Sequence, residues 1–105
     1  MTDLEVARKY CAKAHHAKDS NIEFSMSLVS FRNMMRAKRC FFTGLPLTAD
    51  VITVDRVNNQ LGYVKGNVVA CHKDANQLKG VIENPINSLT VKNVKRLLDK
   101  WGERA

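Results

Sequence analysis

Nothing in this sequence is long and apolar enough to span a membrane. No run approaches the ~18 residues that a spanning helix needs, so no membrane partner is expected. The start, Met1-Thr2-Asp3-Leu4-Glu5, is acidic and lacks the apolar stretch of a signal peptide. The expectation is therefore a protein of the cytosol. Cysteine is scarce: Cys11, Cys40 and Cys71 are the only three. An odd count without a secretion signal argues against a disulfide framework, leaving free thiols, small buried residues or metal ligands. There is no internal repeat and no low-complexity tract. A glycine-rich phosphate loop, a nucleophile elbow and a dinucleotide fingerprint are all missing too.

What is present is one domain's worth of chain, 105 residues, read as a single unit over 1–105. Hydrophobic residues make up 45% and charged residues 26%, an ordinary globular balance that argues against disorder. Lysine and arginine number 17 against 10 acidic residues, a formal charge of +7. On so small a surface this creates a positive field reaching about a Debye length, roughly 8 Å at physiological salt. Polyanions, and nucleic acid first among them, are the expected partners.

Helical spacing of Leu4, Ala7, Cys11 and Ala14, with Val6 and Tyr10 beside them, predicts a helix over 3–17. A second is predicted over 25–38, with Ser25 as a candidate cap and an apolar set of Met26, Leu28, Val29, Phe31, Met34 and Met35. These methionines read as core, not as a cofactor box. The two helices form an N-terminal section, 3–38. From Cys40 the pattern is too punctuated for a helix. Val51–Val57 is β-branched and reads as a strand. Asn58–Gly62 is turn chemistry, and Tyr63–Ala70 returns as a second strand. His72–Leu78 is a short helical piece stopped at Gly80. Val81–Asn87, with Pro85, is a connector. Leu89, Val91, Val94, Leu97, Leu98 and Trp101 mark a C-terminal amphipathic helix over 88–103, capped by Ser88 or Thr90, with Trp101 as packing anchor.

The strand–turn–strand–helix stretch carries the chemistry. A hard divalent cation wants one carboxylate plus neutral oxygens and water. Asp55 supplies the carboxylate and Asn76 an amide oxygen, if the helix packs across the hairpin. Such an ion can polarise a phosphate and stabilise a leaving oxygen. The other polar candidates read more simply. His15-His16 is an exposed pair near a helix end, Asp74 is a solvated helix charge, and Arg36–Arg39 is a basic run that could flank a DNA groove.

The series Cys40-x-x-Thr43-Gly44, Asp55-Arg56-Val57, Gly62-Tyr63-x-x-Gly66-Asn67-Val68 and Asn76-x-x-Lys79-Gly80 resembles the HNH endonuclease superfamily. Its core is the ββα-metal, or His-Me, finger, and the match is closest to a small phage-type branch. It covers about 40 of the 105 residues, over 40–80. The resemblance implies an α+β fold: an HNH-like hairpin–helix core with the two N-terminal helices and the C-terminal helix packed around it. It implies metal ligation by Asp55 and Asn76, with Mg²⁺ or Mn²⁺ as cofactor. Asn67 matches the residue that pins the loop and helps hold the base in place. Arg39, Lys65, Lys73 and Lys79 are the expected contacts to nucleic acid, DNA in the first instance.

Two departures qualify the resemblance. The family's general base is a histidine directly after the metal-binding aspartate, and here that position is Arg56. Arginine keeps its proton throughout the accessible pH range, so Arg56 is expected to hold the scissile phosphate instead. The second concerns zinc. Where relatives carry two Cys-x-x-Cys pairs, this chain has Cys40 with Thr43 and His72 with Ala75. A closed tetrahedral zinc site is not expected, although Cys71 could join Cys40 and His72 as a remnant. The favoured reading makes Cys40 and Cys71 small core residues. The function expected is a metal-dependent nuclease. The alternative is an inactive HNH-like module that binds DNA or inhibits a host protein, and monomer and homodimer both stay open.

Overall fold

In the computed structural model, which describes residues 1–84 and 88–104, the chain is α+β, with four helices and one two-stranded antiparallel hairpin. The order is α1 (Asp3–Asp19), α2 (Leu28–Met34), β1 (Ile52–Arg56), β2 (Val68–His72), α3 (Lys73–Glu83) and α4 (Val91–Trp101), followed by a 3-10 turn at Gly102–Arg104. Among the described residues no helix is long and apolar enough to cross a membrane. The predicted connector residues Pro85–Asn87 lie outside the described residues.

The N-terminal helices begin where side-chain oxygens satisfy free backbone N–H groups. Thr2 Oγ1 accepts from the Glu5 amide at 3.1 Å, and Ser27 Oγ accepts from the Ser30 amide at 3.1 Å. Ser27, not Ser25, is therefore the cap of α2, which is half the predicted length. The buried stripe of α1 is also displaced from the predicted one. Val6 and Ala17 are buried and Tyr10 packs against the core, whereas Leu4 and Cys11 face solvent. Tyr10 sets this rotation. Its hydroxyl donates to the Met26 carbonyl at 2.6 Å, and its ring meets Phe24 and Phe31 edge-on at 5.4 and 5.5 Å. Such edge contacts are worth ~0.5–1.5 kcal/mol each beyond the area they bury.

An isolated hairpin is marginal in water, and here each face is covered. In register, Ile52 faces His72, Val54 faces Ala70 and Asp55 faces Val69. Side chains alternate along a strand, so Ile52 and Val54 enter the core beneath α1 and α2 with Phe31, Met35 and Ala70. Asp55 points the other way, toward α3. The second strand starts at Val68 rather than Tyr63, because Tyr63 bridges in parallel to Phe24 instead. The chain then reverses through Gly66, whose φ of +87° suits glycine. Beyond β2, His72 is both last strand residue and helix cap, its Nδ1 accepting from the Asp74 amide at 3.1 Å. Helix α3 runs through Gly80 to Glu83, past the predicted stop, because a Lys79–Glu83 pair spans the glycine.

The C-terminal helix departs most from expectation. Thr90, one of the two candidate caps, holds its start in a reciprocal box with Asn93. Its apolar face, however, is not packed around the core. Leu97 and Leu98 are each 51% exposed and Trp101 is 61% exposed, so the tryptophan is not a packing anchor among the described residues.

Candidate functional site

The site is built at the end of β1, where the hairpin meets α3. Asp55 is mostly buried. Its Oδ1 accepts the Arg56 backbone N–H at 2.8 Å. Its Oδ2 is shut away from solvent without a well-formed hydrogen bond. The Lys79 ammonium stands 3.1 Å from that oxygen, close enough to neutralise it but poorly aligned as a donor. Lys79 Nζ also donates to the Arg56 carbonyl at 2.9 Å and to Glu83 Oε1 at 2.8 Å. Burial alone would lower the Lys79 pKa, but its hydrogen bond to Glu83, its close approach to Asp55 and the charges of both carboxylates outweigh burial and raise it. It is a firmly charged group held among two carboxylates and a carbonyl.

Asn76 precedes Lys79 by three residues and Glu83 by seven, so the three share one stripe of α3. That stripe faces the hairpin, because Lys79 reaches Asp55 and Arg56 from it. Asn76 is half-buried and its amide makes no hydrogen bond among the described residues. A carboxylate oxygen lacking a good hydrogen bond and an amide on the covering helix are the donor types a hard cation takes, and the ammonium of Lys79 stands at that carboxylate oxygen. Among the described residues no three His, Cys, Asp or Glu side chains gather as a metal site. An ion here would lean on Asp55, amide oxygens and water.

Asn67 is 5% exposed and spends its whole amide on the inter-strand loop. Its Oδ1 accepts the Asn58 N–H at 2.9 Å, while Nδ2 donates to the carbonyls of Asn58 at 3.0 Å and Gly62 at 2.9 Å. Gly62 is where that loop meets the α1–α2 connection. A β-carbon there would lie 2.4 Å from the Glu23 carbonyl oxygen, and the next amide, Tyr63 N–H, donates to that same oxygen at 2.8 Å. Loop pinning is thus the structural role of Asn67.

Arg56 is committed to the same loop. Its Nη1 donates to the carbonyls of Asn59 and Leu61, both at 3.0 Å, and its guanidinium lies 5.3 Å from the centre of the Tyr63 ring. The Lys13 ammonium, from α1, lies 5.7 Å from the same centre. Burial lowers the Lys13 pKa; attraction to Asp55 opposes this and Arg56 adds to it.

The remaining predicted contacts scatter. Lys73 is exposed at the first turn of α3. Arg39 is exposed on the Cys40 turn, its guanidinium 3.4 Å from the Gly44 carbonyl. That turn runs beside β2, since the Phe41 N–H donates to the Ala70 carbonyl at 3.0 Å. Lys65 lines a separate cleft with Ser25, Ser27 and Ser30. Cys40 and Cys71 are buried with their sulfurs 3.9 Å apart. Burial raises the Cys40 pKa, but hydrogen bonds from the Thr43 hydroxyl and from the His72, Thr43 and Phe42 backbone outweigh it and lower the thiol to about 7. Burial, with the neighbouring Cys40, pushes Cys71 up to about 12.

Sequence reading missed Glu83 and Lys13. The i,i+4 spacing of Lys79 and Glu83 was a usable sign, masked by the stop assigned to Gly80. Nothing local marks Lys13, which a distant helix brings in.

No family model matches the chain, and no solved structure matches it. Among curated proteins it is similar to the "Uncharacterized 29.0 kDa protein in dda-modA intergenic region" of Enterobacteria phage T4. The two are 30% identical over an alignment of 67 residues that covers 60% of this chain and 25% of that protein. The chain therefore spans about a quarter of that relative's length.

Proposed function

We propose that the protein is a metal-dependent nuclease of the HNH type, hydrolysing phosphodiester bonds in nucleic acid, DNA foremost. The observation that carries this reading is the buried Asp55 carboxylate, with one oxygen lacking a good hydrogen bond, at the mouth of a hairpin covered by the Asn76 face of α3. Mg²⁺ or Mn²⁺ held by Asp55 and Asn76 would stabilise charge on the phosphate and activate water. The chain's own groups do the rest. Asn67 fixes the loop between the strands, and Arg39 and Lys73 offer exposed positive charge to the backbone. Arg56 cannot take a proton from water. With Nη1 held by two loop carbonyls, it can offer a phosphate only its remaining N–H groups. The likeness to a T4 protein suits a phage setting and a host cytosol.

A second reading has its own support. Lys79 already neutralises Asp55 and Arg56 is spent on the loop, as in a binding module that does not cut. Incubating supercoiled plasmid with Mn²⁺ and either the protein or Asp55→Ala separates the two. Nicking by the wild type, reduced at least about 100-fold in the variant, is the expected result. Equal rates in both, or no cleavage in either, would remove the nuclease and leave the binder.

A further inference from the structure

Resting on the metal reading of Asp55, we infer that Lys79 is a tethered cation that competes with the divalent ion for Asp55, and that Glu83 is the group that receives the ammonium when it is displaced. Lys79 Nζ stands 3.1 Å from Asp55 Oδ2, an oxygen that makes no good hydrogen bond. A divalent ion on that oxygen and an ammonium this near repel strongly in the effective dielectric of a protein. The lysine therefore leaves Asp55 as an ion arrives.

Two features make its departure practicable. The lysine stem is flexible, and Glu83, one turn further along α3, already accepts from Nζ at 2.8 Å. Released from Asp55, the ammonium keeps a partner and its charge stays at the hairpin–helix junction, where it can meet a phosphate. The pairing also prevents an unneutralised carboxylate from being buried before an ion arrives, which would be costly. Asp55 is thus guarded, and the guard sets the ion's affinity.

The experiment is Mn²⁺ binding to the full chain without nucleic acid, followed by calorimetry and by the Mn²⁺ paramagnetic resonance signal. Lys79→Met should bind Mn²⁺ at least about tenfold tighter than wild type, and adding Asp55→Asn should abolish that gain. If Lys79→Met does not fold, Lys79→Gln removes the charge while keeping a donor and serves the same comparison. Glu83→Gln should weaken Mn²⁺ binding in wild type, where the ammonium then leans harder on Asp55, but leave it unchanged in Lys79→Met. Weakening in both backgrounds would make Glu83 a ligand and overturn its role as receiver. Equal affinity in wild type and Lys79→Met overturns the competition while the metal reading stands. Absence of binding in both sinks the two together.

Discussion

The hairpin–α3 unit and helix α4 make opposite cases. Residues 52–83 hold weak local patterns: five-residue strands, a glycine inside a helix and an aspartate in a strand. Yet Val54 is 1% exposed and Cys71 fully buried, Asn67 and Arg56 tie down the inter-strand loop, and Lys79 ties α3 to the end of β1. Helix α4 has the cleanest amphipathic pattern among the described helices, a reciprocal cap, and almost nothing packed against its apolar face among the described residues. An 11-residue helix without such packing is marginal in water. Periodicity reports that a helix has two faces; burial and hydrogen bonding decide whether the fold depends on it.

The largest expected effect lies in the loop. Asn67→Ala removes three hydrogen bonds at once and leaves the Gly62 carbonyl without that partner where the loop meets the α1–α2 connection. A loss of about 2–4 kcal/mol in unfolding free energy is expected, measured by urea denaturation followed by circular dichroism. A loss under about 1 kcal/mol would show that the loop holds without its pin, and the contrast with α4 would dissolve.

A smaller effect, with a defined sign, belongs to the thiol pair. Folding lowers Cys40 to about 7 from an ordinary 9.0, so its thiolate favours the native state. That contribution is complete above about pH 9 and is lost as pH falls through about 7. Cys71, raised to about 12, acts oppositely and only above about pH 9. Wild type should therefore gain on the order of 2 kcal/mol between pH 7 and 9, and Cys40→Ala should show a flat profile over that range. Stability curves of equal slope for both proteins would refute a native thiolate.

Sequence alone made the architecture legible where periodicity and turn chemistry agree: both N-terminal helices, the two strands, the helix after them and the Thr90 cap. The α1 stripe was misread because small residues on one face looked as apolar as the face that Tyr10 anchors through the distant Met26 carbonyl. At the candidate site, residue type and order single out Asp55, Asn67 and Asn76 as candidates. The partners that define their states could not. Lys79 on Asp55 and Arg56 on the loop carbonyls depend on where a helix and a loop cross a strand, and long polar side chains carry no periodic signature of their destination. The exposure of Trp101 was hidden for the converse reason, since an amphipathic stripe looks the same covered or bare.

The smallest expected effect is the sharpest check on the comparison. Leu98→Ala, on the open face of α4, should change global unfolding by no more than about 0.5 kcal/mol, whereas a buried leucine truncated the same way typically costs about 2–5 kcal/mol. Alanine also favours helix at least as well as leucine, so the backbone gives no reason for a loss. Urea denaturation at two protein concentrations about 30-fold apart makes the result decisive. A cost of 2 kcal/mol or more at both concentrations would mean that α4 packs onto its own chain and that its face is covered within one molecule. A cost that appears only at the higher concentration would mean that a second copy covers it. An insensitive midpoint at both would leave the fold resting on residues 1–84, with α4 an accessory helix whose stability is its own.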